Sequence, residues 1–177
     1  MPSGPSPDSR RFDVAVARRD GTGPRGSRQG RSVYLYPGEV IASVDPLVIS
    51  TILGSCVAVC LGDAVTGAGG VNHFLLPYFV IGDGSSTRFG GVAMKVLQEK
   101  LLALGCGKRN LRAKVFGGAC QFDDPGDRVP IGQQNVSLAM RILEEERIPV
   151  VAQETGGTRG RKVIFHTGSG DVWVRQL

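Results

Sequence analysis

LVISTILGSCVAVCL, residues 47–61, sets two apolar runs end to end and separates them only by Gly54 and Ser55. LVISTIL and CVAVCL are rich in β-branched residues and have strand-like lengths, too short for a helix. The glycine lets the chain turn sharply between them and leaves backbone N–H groups there without ladder partners. The stretch therefore reads as two strands with a cysteine, Cys56, at the start of the second.

The same grammar continues outward. Upstream, VYLY and EVIAS read as short strands punctuated by Pro37, Gly38 and Asp45. Downstream, AGGVNHFLLP (68–77) reads as a strand that enters through a glycine pair and stops at Pro77, followed by a polar loop, GDGSST, at 82–87. Phe89, Val92, Ala93, Val96, Leu97 and Leu101 recur at spacings of three and four, which predicts one amphipathic helix ending near Gly105. LRAKVF (111–116) reads as a strand running into a GGA turn. A second helix is expected from about Gly132, with Val136, Ala139, Met140 and Leu143 inward and Pro149 as its stop. PVVAQE, KVIFH and DVWV close the chain as strands between the glycine-rich turns TGGTRGR and TGSG. Many strands and only two helices point to an α+β fold with mostly antiparallel or mixed sheet and both helices laid on one face.

The chain of 177 residues is 41% hydrophobic and 21% charged, ordinary globular usage for one domain with a real core. Its formal charge is +5, but residues 1–32 hold seven Arg against three Asp, or +4, leaving +1 for the rest. The basic signal belongs to a Pro-, Gly-, Ser- and Arg-rich stretch that reads as a flexible arm at 1–32, ahead of a single domain at 33–177. The domain itself gives no charge-based case for a nucleic-acid face. No secretory signal is evident and no apolar run approaches the roughly 18 residues of a membrane span, so a cytoplasmic protein with reduced thiols and no membrane insertion is expected.

Chemistry has few places to form. There are four cysteines, Cys56, Cys60, Cys106 and Cys120, and two histidines, His73 and His166. Most cysteines in apolar runs are small core residues, which suits Cys60, Cys106 and Cys120. Cys56 differs because it follows Gly54-Ser55, where unpaired N–H groups could form an oxyanion hole. His73, in GGVNHF, faces opposite to Asn72 on a regular strand, and if its strand pairs with that of Cys56 the 17-residue separation brings thiol and imidazole side by side. A zinc site on Cys56, Cys60 and His73 lacks a second cysteine pair at matching spacing. GGTRGRK has the wrong spacing for a phosphate-binding loop and reads as a basic hairpin turn.

Taken in order, TILGSCVAVCLGD, GGVNHFLLP, RFGGVAMKVL, AKVFGGA, IGQQN and GGTRGRKVIFHTG resemble the ordered blocks of the chemoreceptor glutamine deamidase family, CheD. The resemblance implies a layered α/β/β sandwich that hydrolyses glutamine side-chain amides on methyl-accepting chemotaxis receptors. It implies Cys56 as nucleophile, His73 as base, and an upstream hydroxyl, Thr51 or alternatively Ser50, as the third catalytic residue. It also implies a CheC-type phosphatase as a partner of some members. A cysteine thioester route, with Gly54 and Ser55 shaping the oxyanion turn and the imidazole favouring the thiolate, needs no metal or organic cofactor. The competing expectation is a non-catalytic chemotaxis adaptor that keeps the fold and binds a phosphatase or receptor, for which the Cys56/His73 pair would be unnecessary.

Overall fold

The computed structural model describes residues 12, 17–18, 30–78, 84–120 and 128–177. Most of the segment read as an arm, and the start of the loop read at 82–87, lie outside the described residues. In chain order the elements are β1 (Ala17–Arg18), β2 (Arg31–Tyr34), β3 (Val40–Ser43), β4 (Leu47–Leu53), β5 (Val57–Asp63), β6 (Gly69–Phe74), α1 (Gly90–Ala103), β7 (Leu111–Gly117), α2 (Ile131–Glu145), β8 (Val150–Thr155), β9 (Arg161–His166) and β10 (Val172–Gln176).

The strands form two mixed sheets, ordered β1-β10-β9-β4-β2 and β3-β6-β5-β7-β8. The Gly54-Ser55 break is thus no hairpin. It carries the chain from the first sheet, where LVISTIL pairs antiparallel with β9, into the second, where VAVCL pairs antiparallel with both β6 and β7. The burial patterns explain why the two runs look different. Along β4 only Leu47, Ile49, Thr51 and Leu53 are buried, because one face of that sheet covers the core and the other meets solvent. Every residue of β5 is buried, because its sheet is covered on both faces. Val57, Val59 and Leu61 face a core made with the two helices. Ala58 and Cys60 face a second core between the sheets, with Ile49, Phe116, Val163 and Phe165. Helices, sheet and sheet make three layers, an α+β sandwich with α1 and α2 on one outer face.

The helices fall where the periodicity places them, with small shifts in their inward faces. In α1 Met94 joins Ala93, Leu97 and Leu101 in full burial, while Val92 and Val96 are only half-buried. In α2 the buried stripe is Gly132, Asn135, Leu138, Ala139 and Leu143, with Val136 and Met140 packed beside it. The strand read as running to Pro77 ends at Phe74, since the next amides, of Leu75 and Leu76, both donate to the carbonyl of Arg88. No helix among the described residues is long and apolar enough to cross a membrane.

Two pieces of the N-terminal segment dock on this frame. Ala17–Arg18 pair in parallel with Trp173 and Val174. Phe12 is buried between the sheets, edge-on to Phe165 with ring centroids 6.1 Å apart. A Cβ at Gly62 or Gly170 would run into its ring, so those glycines create the space it fills. The fully buried Lys114 lies with its Nζ 5.0 Å from the Phe12 ring centroid and donates to the Gly170 carbonyl at 2.8 Å.

Candidate active site

Register places the sequence-predicted residues together. His73 is the direct cross-strand partner of Ala58, whose side chain faces the inter-sheet core. Its neighbour Asn72 therefore points the other way, into the helix layer, where Oδ1 accepts from the amide of Val59 at 3.0 Å and Nδ2 lies 3.4 Å from Met94 Sδ. Cys56, two residues before Ala58, packs half-buried against the same inter-sheet core as Ala58. It occupies the diagonal position across from His73, a spacing that side chains on one sheet face can bridge.

The third group arrives from the opposite sheet. Thr51 is buried, and its Oγ1 stands 2.9 Å from His73 Nδ1. The same hydroxyl donates its single hydrogen to the carbonyl of Leu35 at 2.8 Å. Towards the imidazole it can therefore only accept, so Nδ1 carries the ring hydrogen and Nε2 presents a bare lone pair. Nε2 is buried and has no hydrogen-bond partner among the described residues. Ser50, the other candidate, alternates to the opposite side of β4 and is only half-buried; its carbonyl accepts from the Leu35 amide at 2.9 Å.

Electrostatics change one expectation. The imidazole was expected to favour a pre-formed thiolate, but burial drives both groups towards their neutral forms. Desolvation lowers His73 to about 4, opposed in part by the Leu35 carbonyl. Desolvation raises the Cys56 thiol, opposed in part by its own backbone N–H. An imidazolium–thiolate pair would place two charges in a pocket with little water to stabilise them. Burial thus favours a neutral thiol at Cys56 and a neutral imidazole at His73. Cys60 is fully buried, and desolvation raises its thiol far more, despite nearby Lys114; it is a packing residue.

The turn that carries Cys56 is held mainly through its backbone. The amide of Gly118 donates to the Cys56 carbonyl and that of Ala119 to the Gly54 carbonyl, each at 2.8 Å. Gly117 and Gly118 adopt φ values of 107° and 68°, the left-handed region where a side chain is strained. A Cβ at Gly117 would also collide with the Cys56 carbonyl oxygen. The GGA turn read from sequence is thus the cradle of the Cys56 turn. Behind it, Gly156 N donates to Gly117 O at 2.9 Å and Cys120 N to Gly157 O at 2.8 Å. The buried Arg161 binds the carbonyls of Glu154 and Gly156, so one arginine of the basic turn is a structural clamp.

Asn135 is the residue that sequence reasoning passed over. It is fully buried on α2, and its Nδ2 donates to the carbonyls of Ser55 at 3.0 Å and Leu75 at 2.9 Å. A polar residue within the buried stripe of an amphipathic helix was the available signal. Among the described residues, no group of three or more His, Cys, Asp or Glu side chains is placed to hold a metal ion.

The family model and the curated relatives point to one group. A family model described as CheD chemotactic sensory transduction matches residues 75–176. The chain is 45% identical over 175 residues to the probable chemoreceptor glutamine deamidase CheD 1 of Anaeromyxobacter dehalogenans (strain 2CP-C), covering 99% of this chain and 98% of that one. It is 48% identical over 143 residues to the probable chemoreceptor glutamine deamidase CheD of Trichlorobacter lovleyi, covering 80% and 88%. For the protein of that name from Caulobacter vibrioides (strain NA1000 / CB15N) the identity is 44% over 146 residues, covering 81% and 76%. The family match begins after Cys56 and His73, whereas the first of these relatives aligns across nearly the whole chain.

Proposed function

The chain belongs to the CheD family, and from that membership we propose that it hydrolyses glutamine side-chain amides on chemoreceptors to glutamate, with Cys56 as nucleophile. The observation that carries the residue assignment is the Thr51–His73 hydrogen bond, which leaves Nε2 as the basic nitrogen.

The chemistry follows from a neutral pair. As Cys56 Sγ bonds to the amide carbon, its proton passes to His73 Nε2, so charge develops only while the carbonyl oxygen takes up negative charge. The Cys56 N–H donates to that oxygen, a role worth about 3 to 4 kcal/mol for one donor. Collapse breaks the C–N bond, and His73 returns the proton to the departing nitrogen, releasing ammonia. Water then attacks the thioester as Nε2 takes its proton. The second collapse restores the thiol and leaves glutamate.

The substrate is presented by another protein, which suits an open surface better than an enclosed cavity. A groove lined by Tyr78, Arg128, Val129, Gln134 and Ser137 opens at the first turns of α2 and gives a receptor helix an accessible seat. Family membership also supports a cytoplasmic setting, and the family resemblance supports a CheC-type phosphatase as a second partner, testable by co-purification of the two chains.

The direct test incubates a purified receptor cytoplasmic fragment with the protein and follows glutamine-to-glutamate conversion by peptide mass spectrometry, with ammonia measured in parallel. Conversion at discrete glutamines with stoichiometric ammonia is expected. Unchanged glutamines with intact binding would leave the adaptor reading instead. On the same assay, Thr51→Val is expected to lower kcat about tenfold, the kinetic equivalent of one neutral hydrogen bond. Ser50→Ala should stay near the parent rate; the reverse order would transfer the role to Ser50.

A further inference from the structure

The amide of Asn135 is oriented by its neighbours. Both groups it meets, Ser55 O and Leu75 O, are acceptors, so the nitrogen must face them. Its Oδ1 is then left buried with no hydrogen-bond partner among the described residues. An orphaned buried acceptor costs about 1 to 3 kcal/mol. The two N–H groups, rather than the side chain's volume, are what this position supplies.

Those two carbonyls bracket the site. Ser55 O belongs to the peptide that ends at the Cys56 nitrogen, and Leu75 lies two residues beyond His73. A trans peptide is planar, with its C=O and N–H pointing in opposite directions. Asn135 draws the Ser55 carbonyl towards the helix layer, so the Cys56 N–H is turned away from α2, to the inter-sheet side. That is the side on which Cys56 packs and His73 projects, opposite to Asn72. Without Asn135 the Ser55–Cys56 peptide loses the side chain that fixes its rotation.

We infer that Asn135 is a positioning residue: by holding the Ser55 carbonyl it aims the Cys56 N–H at the developing oxyanion, and by holding the Leu75 carbonyl it ties the His73 strand to the same anchor. The inference rests on the reading of Cys56 as nucleophile.

The experiment separates oxyanion support from thiol reactivity. Iodoacetamide consumes the thiolate by displacing iodide and creates no oxyanion, whereas deamidation depends on one. Asn135→Ala is expected to lower kcat about 100-fold with KM within about twofold. Its alkylation rate at Cys56, measured at alkaline pH, should stay within about threefold, because a thiolate needs no oxyanion donor to react this way. Leu138→Ala, on the same buried face, should lower stability yet keep kcat near the parent value. If Asn135→Ala does not fold, Asn135→Leu decides, since its side chain fills a similar volume and has no group that can donate to either carbonyl; the same pattern is expected. A kcat close to the parent's in the folded variant, or alkylation falling by the same factor as kcat, overturns the inference. Cys56→Ala is run beside them. If it still deamidates, the underlying assignment fails and the inference with it; if it is inactive while Asn135→Ala turns over normally, only the inference fails.

Discussion

Cys56→Ala is expected to lower receptor deamidation by about 10⁴-fold or more, as deletion of a covalent nucleophile does elsewhere, without a matching loss of fold. The fold is spared because the turn is secured through carbonyls that alanine retains. Gly118 and Ala119 hold Cys56 O and Gly54 O, and Asn135 holds Ser55 O. Thermal unfolding by circular dichroism should therefore show a midpoint close to the parent's while glutamate formation stops. Substantial turnover by the alanine variant would remove Cys56 from the mechanism. Cys60→Ala is the matched control, because that fully buried thiol only packs: it should cost stability and leave kcat nearly unchanged.

His73 supplies the second large effect. His73→Gln is expected to lower kcat about 10³-fold, within the usual range for a general base. The pH dependence is diagnostic. A proton on Nε2 blocks transfer from the thiol, and burial holds this imidazole at about 4. The acid limb of kcat/KM should thus lie near pH 4 and not near the 6.5 of an ordinary histidine. A limb at 6.5 would mean that the imidazole is solvated in the working enzyme. Because the thiol is raised, alkylation of Cys56 at neutral pH should be slower than that of free cysteine, and such slowness is compatible with a catalytic role.

The same depressed value makes a stability statement. Between pH 6.5 and about 4 the unfolded chain binds a proton on His73 that the folded chain refuses. The contribution is fully present above 6.5 and is lost as the pH falls towards 4, by about 3 kcal/mol in all. Urea unfolding of the parent at pH 7 and pH 4.5 should show that loss, and His73→Gln should lack it. Equal acid sensitivity in both would place the titration elsewhere.

How much of this was legible in the residues depends on the range of the interaction. Strands and helices were, because alternation along β4 and the threefold-fourfold spacing in α1 are local patterns set by burial. The neighbouring of the Cys56 and His73 strands was legible only as something a 17-residue separation permits; the register that sets Ala58 opposite His73 depends on pairings that the local pattern does not fix. The passage between sheets at Gly54-Ser55 was not legible, since a hairpin and a crossover use the same flexible residues. Thr51 and Ser50 could not be separated without the face of β4 that meets His73. Phe12 sits in an Arg-rich segment whose composition suggests nothing to bury, and only the missing side chains at Gly62 and Gly170 explain its place. Pairing a cysteine with a histidine predicts attraction and a thiolate, whereas burial of both groups pushes each towards its neutral form, a desolvation that no local motif displays.

Thr51 belongs to one sheet, whereas the Cys56 turn and His73 belong to the other. The contact at 2.9 Å is therefore a gauge of the gap between two slabs, set by residues such as Ile49, Phe116, Val163 and Phe165. A repacking of that filling that left the melting temperature untouched could still loosen the gauge. Turnover would then report the thickness of the sandwich, and natural drift in its filling would tune the enzyme without touching a reacting atom.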